Sequence, residues 1–217
     1  MTPSEQTAPP PDPSLIAATD AVRHETAAVA ALADRLSHEF MAVVDEISTA
    51  TGRVVVAGLG KSGLIGRKIA ATLASTGTPA TFVHAAEALH GDSGMVTGND
   101  VLLVISASGE TTEACQFARL VSARGVTVIA MVGVVDSTLG RCADHVLDVS
   151  VSREADPLNL APTSSTTVTL VMGDALAAAL MVRRGFTEQD FAGFHPGGSL
   201  GSRLIGRPAD PADGAVQ

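Results

Sequence analysis

Between residues 14 and 50, apolar side chains return every seven positions at Leu15, Val22, Val29, Leu36 and Val43, with Leu32, Phe40 and Ile47 on or near the same face. That spacing predicts helix, as one long element or two abutting ones. Such a stripe either covers the core of its own domain or, as an arm ahead of it, packs across a subunit boundary. Past residue 52 the pattern changes: short apolar runs at 53–57, 80–83, 101–105, 125–132 and 145–151 alternate with stretches of helical period. Apolar runs without alternation suit parallel strands covered on both faces. The helical stretches run to about Thr76, through Ala114, Phe117, Ala118 and Val121, over Ser137 to Cys142, and to about Arg184. About five strands alternating with helices predict an α/β fold, a three-layer sandwich around a mainly parallel sheet with N-terminal and C-terminal helices added.

Two strand ends carry polar chemistry. After 101–105 come Ser106, Ser108, Gly109, Glu110 and Thr111, on a strand-to-helix turn. The first N–H groups of a helix lack partners and lie at the positive end of its dipole, which suits an anion, above all a phosphate. A single hydroxyl would suffice to cap the helix; three beside a glycine favour the anion. After the first strand, Gly58-Leu59-Gly60-Lys61-Ser62-Gly63 precedes the next helix and has the form of a dinucleotide fingerprint. That motif also needs an acid about 20 positions on, where the second strand instead ends at His84. A triphosphate loop fails too, because the first glycine of its motif is missing ahead of Gly60-Lys61-Ser62. What remains is a glycine turn that offers Lys61 and Ser62 to the crevice where ligands of such sheets bind.

Between residues 84 and 92, His84, Glu87 and His90 are spaced His-x2-Glu-x2-His, which does not place both imidazoles on one helical face, so no metal site is expected. The segment from Ser152 to Thr166 is long and irregular, as functional loops in compact domains are. It carries Glu154 and opens the last long helix. His195, in Phe194-His195-Pro196-Gly197-Gly198, falls in a rigid turn.

Composition narrows the partners. A net charge of −9 with 14 Lys plus Arg gives no broad surface for nucleic acid. No uncharged apolar run of spanning length and no export-type leader appears, so no membrane partner and a cytoplasmic location are expected. Cys115 and Cys142 form no paired motif and read as buried thiols. Residues 1–13, with five prolines, and residues 207–217 read as disordered tails.

Seven motifs taken together, G-L-G-K-S-G at 58–63, S-T-G-T-P at 75–79, H-G-D-S-G-M-V at 90–96, S-A-S-G-E-T at 106–111, L-A-P-T-S-S-T at 160–166, V-M-G-D-A-L at 171–176 and H-P-G-G at 195–198, resemble the sugar isomerase (SIS) domain, in its D-arabinose-5-phosphate isomerase branch. The resemblance runs in order over about residues 15 to 205, so 14–206 is expected to be one SIS domain. Many members carry paired cystathionine-β-synthase-type domains after it; this sequence ends without them. Ala107 stands where a polar residue is usual, and Asp156 where a cysteine is frequent.

The resemblance implies that Ser62, Ser106, Ser108 and Thr111 hold a substrate phosphate. Lys61, His90, Glu110, Glu154 and His195 would surround the sugar, with Thr163, Ser164 and Ser165 forming a further substrate loop. It implies homotetramers, with active sites near subunit contacts, so that His195 or His90 acts on a neighbour's substrate. The expected reaction interconverts D-arabinose 5-phosphate and D-ribulose 5-phosphate through an enediol, without metal or cofactor. Glu154 is expected as carbon base with Glu110 as the alternative, Lys61 as the enediolate's counter-charge, and His195 as a proton shuttle. Two other readings share these motifs: a sugar-phosphate sensor, which needs the phosphate hydroxyls but not the base, and an isomerase of a hexose or heptose phosphate.

Overall fold

The computed structural model describes residues 12–196. The expected tails, from residue 1 to 11 and from 207 onward, and both glycines of the H-P-G-G turn lie outside the described residues. Five strands, β1 (Val54–Gly58), β2 (Ala80–His84), β3 (Val101–Ser106), β4 (Thr127–Val132) and β5 (His145–Asp148), form one parallel sheet in the order β2-β1-β3-β4-β5. The expected α/β sandwich and its strand count hold, with strand bounds that coincide or differ by one to three residues.

Because successive side chains on a strand face opposite ways, the apolar runs split into two cores. Val54, Val56, Leu103, Ile105, Ile129 and Met131 pack beneath α1 (Pro13–Ala33), α2 (His38–Thr49), α3 (Gly60–Ser75) and α7 (Ser164–Arg184). Val55, Ala57, Leu102, Val104, Val128 and Ala130 pack against α4 (Ala85–Ala88), α5 (Thr112–Ser122) and α6 (Thr138–Cys142). A 3-10 turn at Asp92–Met95 and a last helix, α8 (Glu188–Phe194), complete the described chain. Helix α7 is long and apolar enough to cross a membrane by length and composition alone. Here Val168, Met172, Leu176 and Leu180 bury one face of it in the first core, and Asp174 meets Lys68 of α3 on another.

Three expectations change. The stripe from Leu15 to Val43 is not one face, because the chain breaks between Ala33 and His38. Leu32, Phe40, Val43 and Ile47 enter the core, whereas Leu15, Val22 and Leu36 are exposed. Pro13, expected in the tail, is the first residue of α1, where its missing N–H is tolerated. Helix α3 begins at Gly60, so Lys61, Ser62 and Gly63 form its first turn rather than a loop ahead of it.

The approach of α7 to α3 rests on Gly173, whose added Cβ would lie 2.5 Å from Ile69 Cγ1. Gly173→Ala should therefore destabilise the fold by about 1–3 kcal/mol in urea unfolding. In an Ile69→Ala background the same change should instead gain about 1 kcal/mol, the helix-propensity difference. An equal effect in both backgrounds would remove the contact as the cause.

Candidate active site

Strand β1 lies between β2 and β3, so the chain leaves it toward one neighbour and returns on the other side. Ligands of open α/β sheets bind at that reversal, outside the carboxyl ends of the strands. Helix α3 starts there without a side-chain cap, and so does α5 on the opposite face. Lys61 and Ser62 of α3 and Ala107, ahead of α5, border one crevice.

Two adjoining cavities occupy it. One, of about 190 Å³, is lined by Lys61, Ser62 and Ile65 of α3, by Ala107, by Pro162, and by Ser165, Thr166 and Thr169 of α7. The other, of about 180 Å³, is lined by Ala107, Gly133, Val149, Val151, Glu154, Ser165 and Thr169. Ala107, Ser165 and Thr169 belong to both walls, so a cationic lobe and a carboxylate lobe share a waist. Lys61 is exposed and makes no hydrogen bond or ion pair among the described residues, which leaves an uncompensated positive charge at the first lobe.

Glu154 is half-buried at the start of α7. Its Oε2 accepts the Thr163 N–H at 2.8 Å, the Thr163 hydroxyl at 3.2 Å and the Ser165 N–H at 3.1 Å. Burial pushes its carboxyl up, but the Ser165 hydroxyl and the Thr163 and Ser165 donors outweigh burial and hold it below the usual carboxylate range. Glu154 is thus ionised at neutral pH and takes the place of a side-chain cap on α7. Ser164, the first residue of that helix, is fully buried with its hydroxyl unpartnered, off both cavity walls. Thr163 is placed through Glu154, and its own hydroxyl accepts the Ala155 N–H at 2.8 Å.

The turn from β3 to α5 folds on itself. Ser106, 2% exposed, accepts the Gly109 N–H at 3.1 Å and shares a 3.0 Å bond with the Thr111 hydroxyl. Two hydroxyls sharing one bond leave one proton for an outside acceptor. Ser108 accepts the Glu110 N–H at 3.1 Å, so its proton is also free to donate. Gly109 needs φ of +67°, and a Cβ there would strike the Ser137 hydroxyl at 2.0 Å. The turn adjoins the crevice through Ala107, which touches both cavities.

Three expected residues stand apart. Glu110 is exposed and accepts the Thr138 N–H at 2.8 Å at the start of α6; the hydroxyl and N–H of Thr138 hold its carboxyl below the usual range. His90, exposed after α4, lines neither cavity. His195 stacks on Phe191 at 3.9 Å and its Nδ1 meets the Phe191 carbonyl at 2.9 Å. It follows α7, whose 21 residues run for roughly 30 Å away from the crevice. Within one chain His195 and Glu154 therefore do not meet. Thr169 was missed by sequence reasoning; the visible signal was a hydroxyl three positions after Thr166 in an otherwise apolar helix.

The sequence matches the family described as the SIS domain over residues 46–179. It is 56% identical over 181 residues to the arabinose 5-phosphate isomerase KdsD of Pseudomonas aeruginosa, covering 83% of this chain and 56% of that protein. Against the arabinose 5-phosphate isomerase GutQ of Escherichia coli K12 it is 54% identical over 176 residues, covering 81% and 55%. The chain thus spans about half the length of the curated relatives it matches. An E. coli CFT073 protein solved in complex with arabinose 5-phosphate superposes with a TM-score of 0.82 at 41% identity, over 86% of this chain and all of that one. The NanR protein of Vibrio vulnificus, complexed with ManNAc-6P, shares the fold at a TM-score of 0.69 and 20% identity, over 92% of this chain and 71% of that one.

Removing the Glu154 carboxylate leaves the N–H groups of Thr163 and Ser165 without their acceptor. Glu154→Ala should lower stability by about 1–2 kcal/mol at pH 7, measured by denaturant unfolding. Because the folded carboxyl lies below its usual range, the difference from wild type should be full above that range and vanish as pH falls through the folded value. A difference unchanged across the acid range would show that the charge is not what caps α7.

Proposed function

Because the chain belongs to the SIS domain family, we propose that it is an aldose-ketose isomerase that interconverts D-arabinose 5-phosphate and D-ribulose 5-phosphate. One observation carries this reading: a crevice that joins a lysine unpaired among the described residues, at an open helix start, to an ionised, half-buried carboxylate across a shared waist. Relatives more than half identical and named arabinose 5-phosphate isomerases support the choice of sugar.

In the mechanism we infer, the phosphate is held by Ser62, Ser106, Ser108, Thr111 and the first N–H groups of α3 and α5. Glu154 removes the proton from C2 of the open-chain aldose as O1 becomes protonated, giving the enediol. The proton is then delivered to C1 while the O2 proton leaves, so no atom is gained or lost. A carboxylate held low in pKa is a weak base toward carbon. Stabilisation must therefore come from the other side, where the Lys61 ammonium faces the enediolate oxygen. Glu110, engaged with Thr138, is the alternative base, and Thr163, Ser164 and Ser165 shape the loop around the sugar.

Glu154→Gln should lower kcat by about 10²–10⁴-fold while sugar phosphate still binds, and Glu110→Gln should lower it far less. In heavy water the wild type should place deuterium at C2 of the aldose formed from the ketose. Binding without that exchange, for any pentose, hexose or heptose phosphate, would overturn the isomerase reading in favour of a sensor.

The same reading makes the protein a homo-oligomer, with the tetramer as its assembly. Exposed Leu15, Ile16 and Val22 on α1 give a neighbour an apolar face, and the remoteness of His195 from its own crevice suits service at a partner's. Light scattering should find no active monomer. Mixing His195→Ala with Glu154→Gln protomers should restore part of the activity; none after verified subunit exchange would exclude action in trans.

A further inference from the structure

The loop between β5 and α7 has little apolar burial to hold it, since Leu158 and Leu160 are 75% and 76% exposed. Its order comes from hydrogen bonds, three of which converge on the Asp156 carboxylate. Asp156 Oδ1 accepts the Leu158 N–H at 2.9 Å, and Oδ2 accepts those of Leu160 at 2.8 Å and Ala161 at 2.9 Å. Partial burial pushes this carboxyl up, but those N–H groups more than offset it and hold it below the usual range. The ring so closed places Asn159 in the left-handed region, at φ 56°, where its side-chain oxygen accepts the Glu154 N–H at 2.6 Å. It also sets the approach to Pro162, which lines the cavity of Lys61, and to Thr163, which donates to Glu154.

We propose that Asp156, which lines neither cavity, is a positioning residue for catalysis: by gathering the N–H groups of Leu158, Leu160 and Ala161 it fixes the loop that sets the Glu154 carboxylate in the crevice. Its catalytic part rests on the reading of Glu154 as the base. Ordering the backbone costs about 1–2 kcal/mol per residue, and in an exposed loop little besides these bonds offsets that. Without the carboxylate, the left-handed Asn159 loses its support and Glu154 loses the tie on its own N–H.

The test compares wild type with Asp156→Ala and Asp156→Asn in three measurements on the intact chain: turnover of D-arabinose 5-phosphate, competition by inorganic phosphate, and amide hydrogen exchange. In Asp156→Ala, kcat should fall by up to about 10²-fold while inhibition by phosphate is unchanged, because the wall with Lys61 and Ser62 is untouched. Exchange should quicken at residues 158, 160 and 161 and also at Thr163 and Ser165, the two amides bonded to Glu154. Asp156→Asn, which keeps one acceptor oxygen, should lose less of both. Faster exchange confined to residues 158–161 with kcat retained would reduce Asp156 to trimming the loop tip. Loss of phosphate inhibition together with kcat would mean general disorder, and either result overturns the proposal. If the wild type does not turn over the sugar, the isomerase reading fails by itself, while exchange at Thr163 and Ser165 still decides whether Asp156 positions Glu154.

Discussion

A parallel sheet covered on both faces admits almost no polar side chain along its strands, and every later feature of this protein follows from that constraint. Val54 through Ala57 and Val101 through Ile105 are all buried, so polar groups can gather only where the strands end. The strand order then selects one place among those ends. Helix α3 belongs to one core and α5 to the other, yet both begin beside the gap between β1 and β3. Neither start has a side-chain cap, and Ser62 of the first and Ala107 just ahead of the second border one space. The third wall, from α7, reaches the same space because Gly173 lets that helix lie close against α3.

In the proposed mechanism Glu154 is one carboxylate that serves structure and chemistry at once. As a cap it satisfies α7 donors and stays ionised; the same hydrogen bonds that keep it charged make it reluctant to take a proton. The resolution lies in what stands across the crevice. In the proposed mechanism Lys61, which has no counter-ion among the described residues, stabilises the negative charge that appears on a bound sugar, so the two groups are matched through that molecule and not through each other.

Much of this was legible in the chain. The five apolar runs lacked alternation because both faces are buried, and that sufficed for the sheet and the sandwich. The hydroxyl turn, Lys61 and Ser62 stand out as polar groups that directly follow buried apolar runs, whereas Glu154 enters through the resemblance to the SIS domain. The heptad-like stripe misled, since periodicity records a face but not the break at residues 34–37: α1 packs through Ala28, Val29 and Leu32, while Leu15, Val22 and Leu36 stay exposed. Glu110 looked like a candidate base on residue type alone, and its partner Thr138 lies 28 positions away. Nor does linear order reveal that α7 carries the chain from the crevice to the far end of the sheet before His195 is reached.

The phosphate-type turn and the loop opposite it are anchored in different ways. The Gly109 carbonyl takes the Leu139 N–H at 2.9 Å and lies 3.5 Å from the Cys115 thiol, so α5 and α6 both grip the turn from behind. The loop from Ser152 to Thr163 is tied largely to itself and to the start of α7. One wall of the crevice is therefore braced by two helices behind it, and the other is ordered by hydrogen bonds of its own. The first wall thus takes its shape from two helices of the domain, while the second carries its shape within one segment and answers to changes made there.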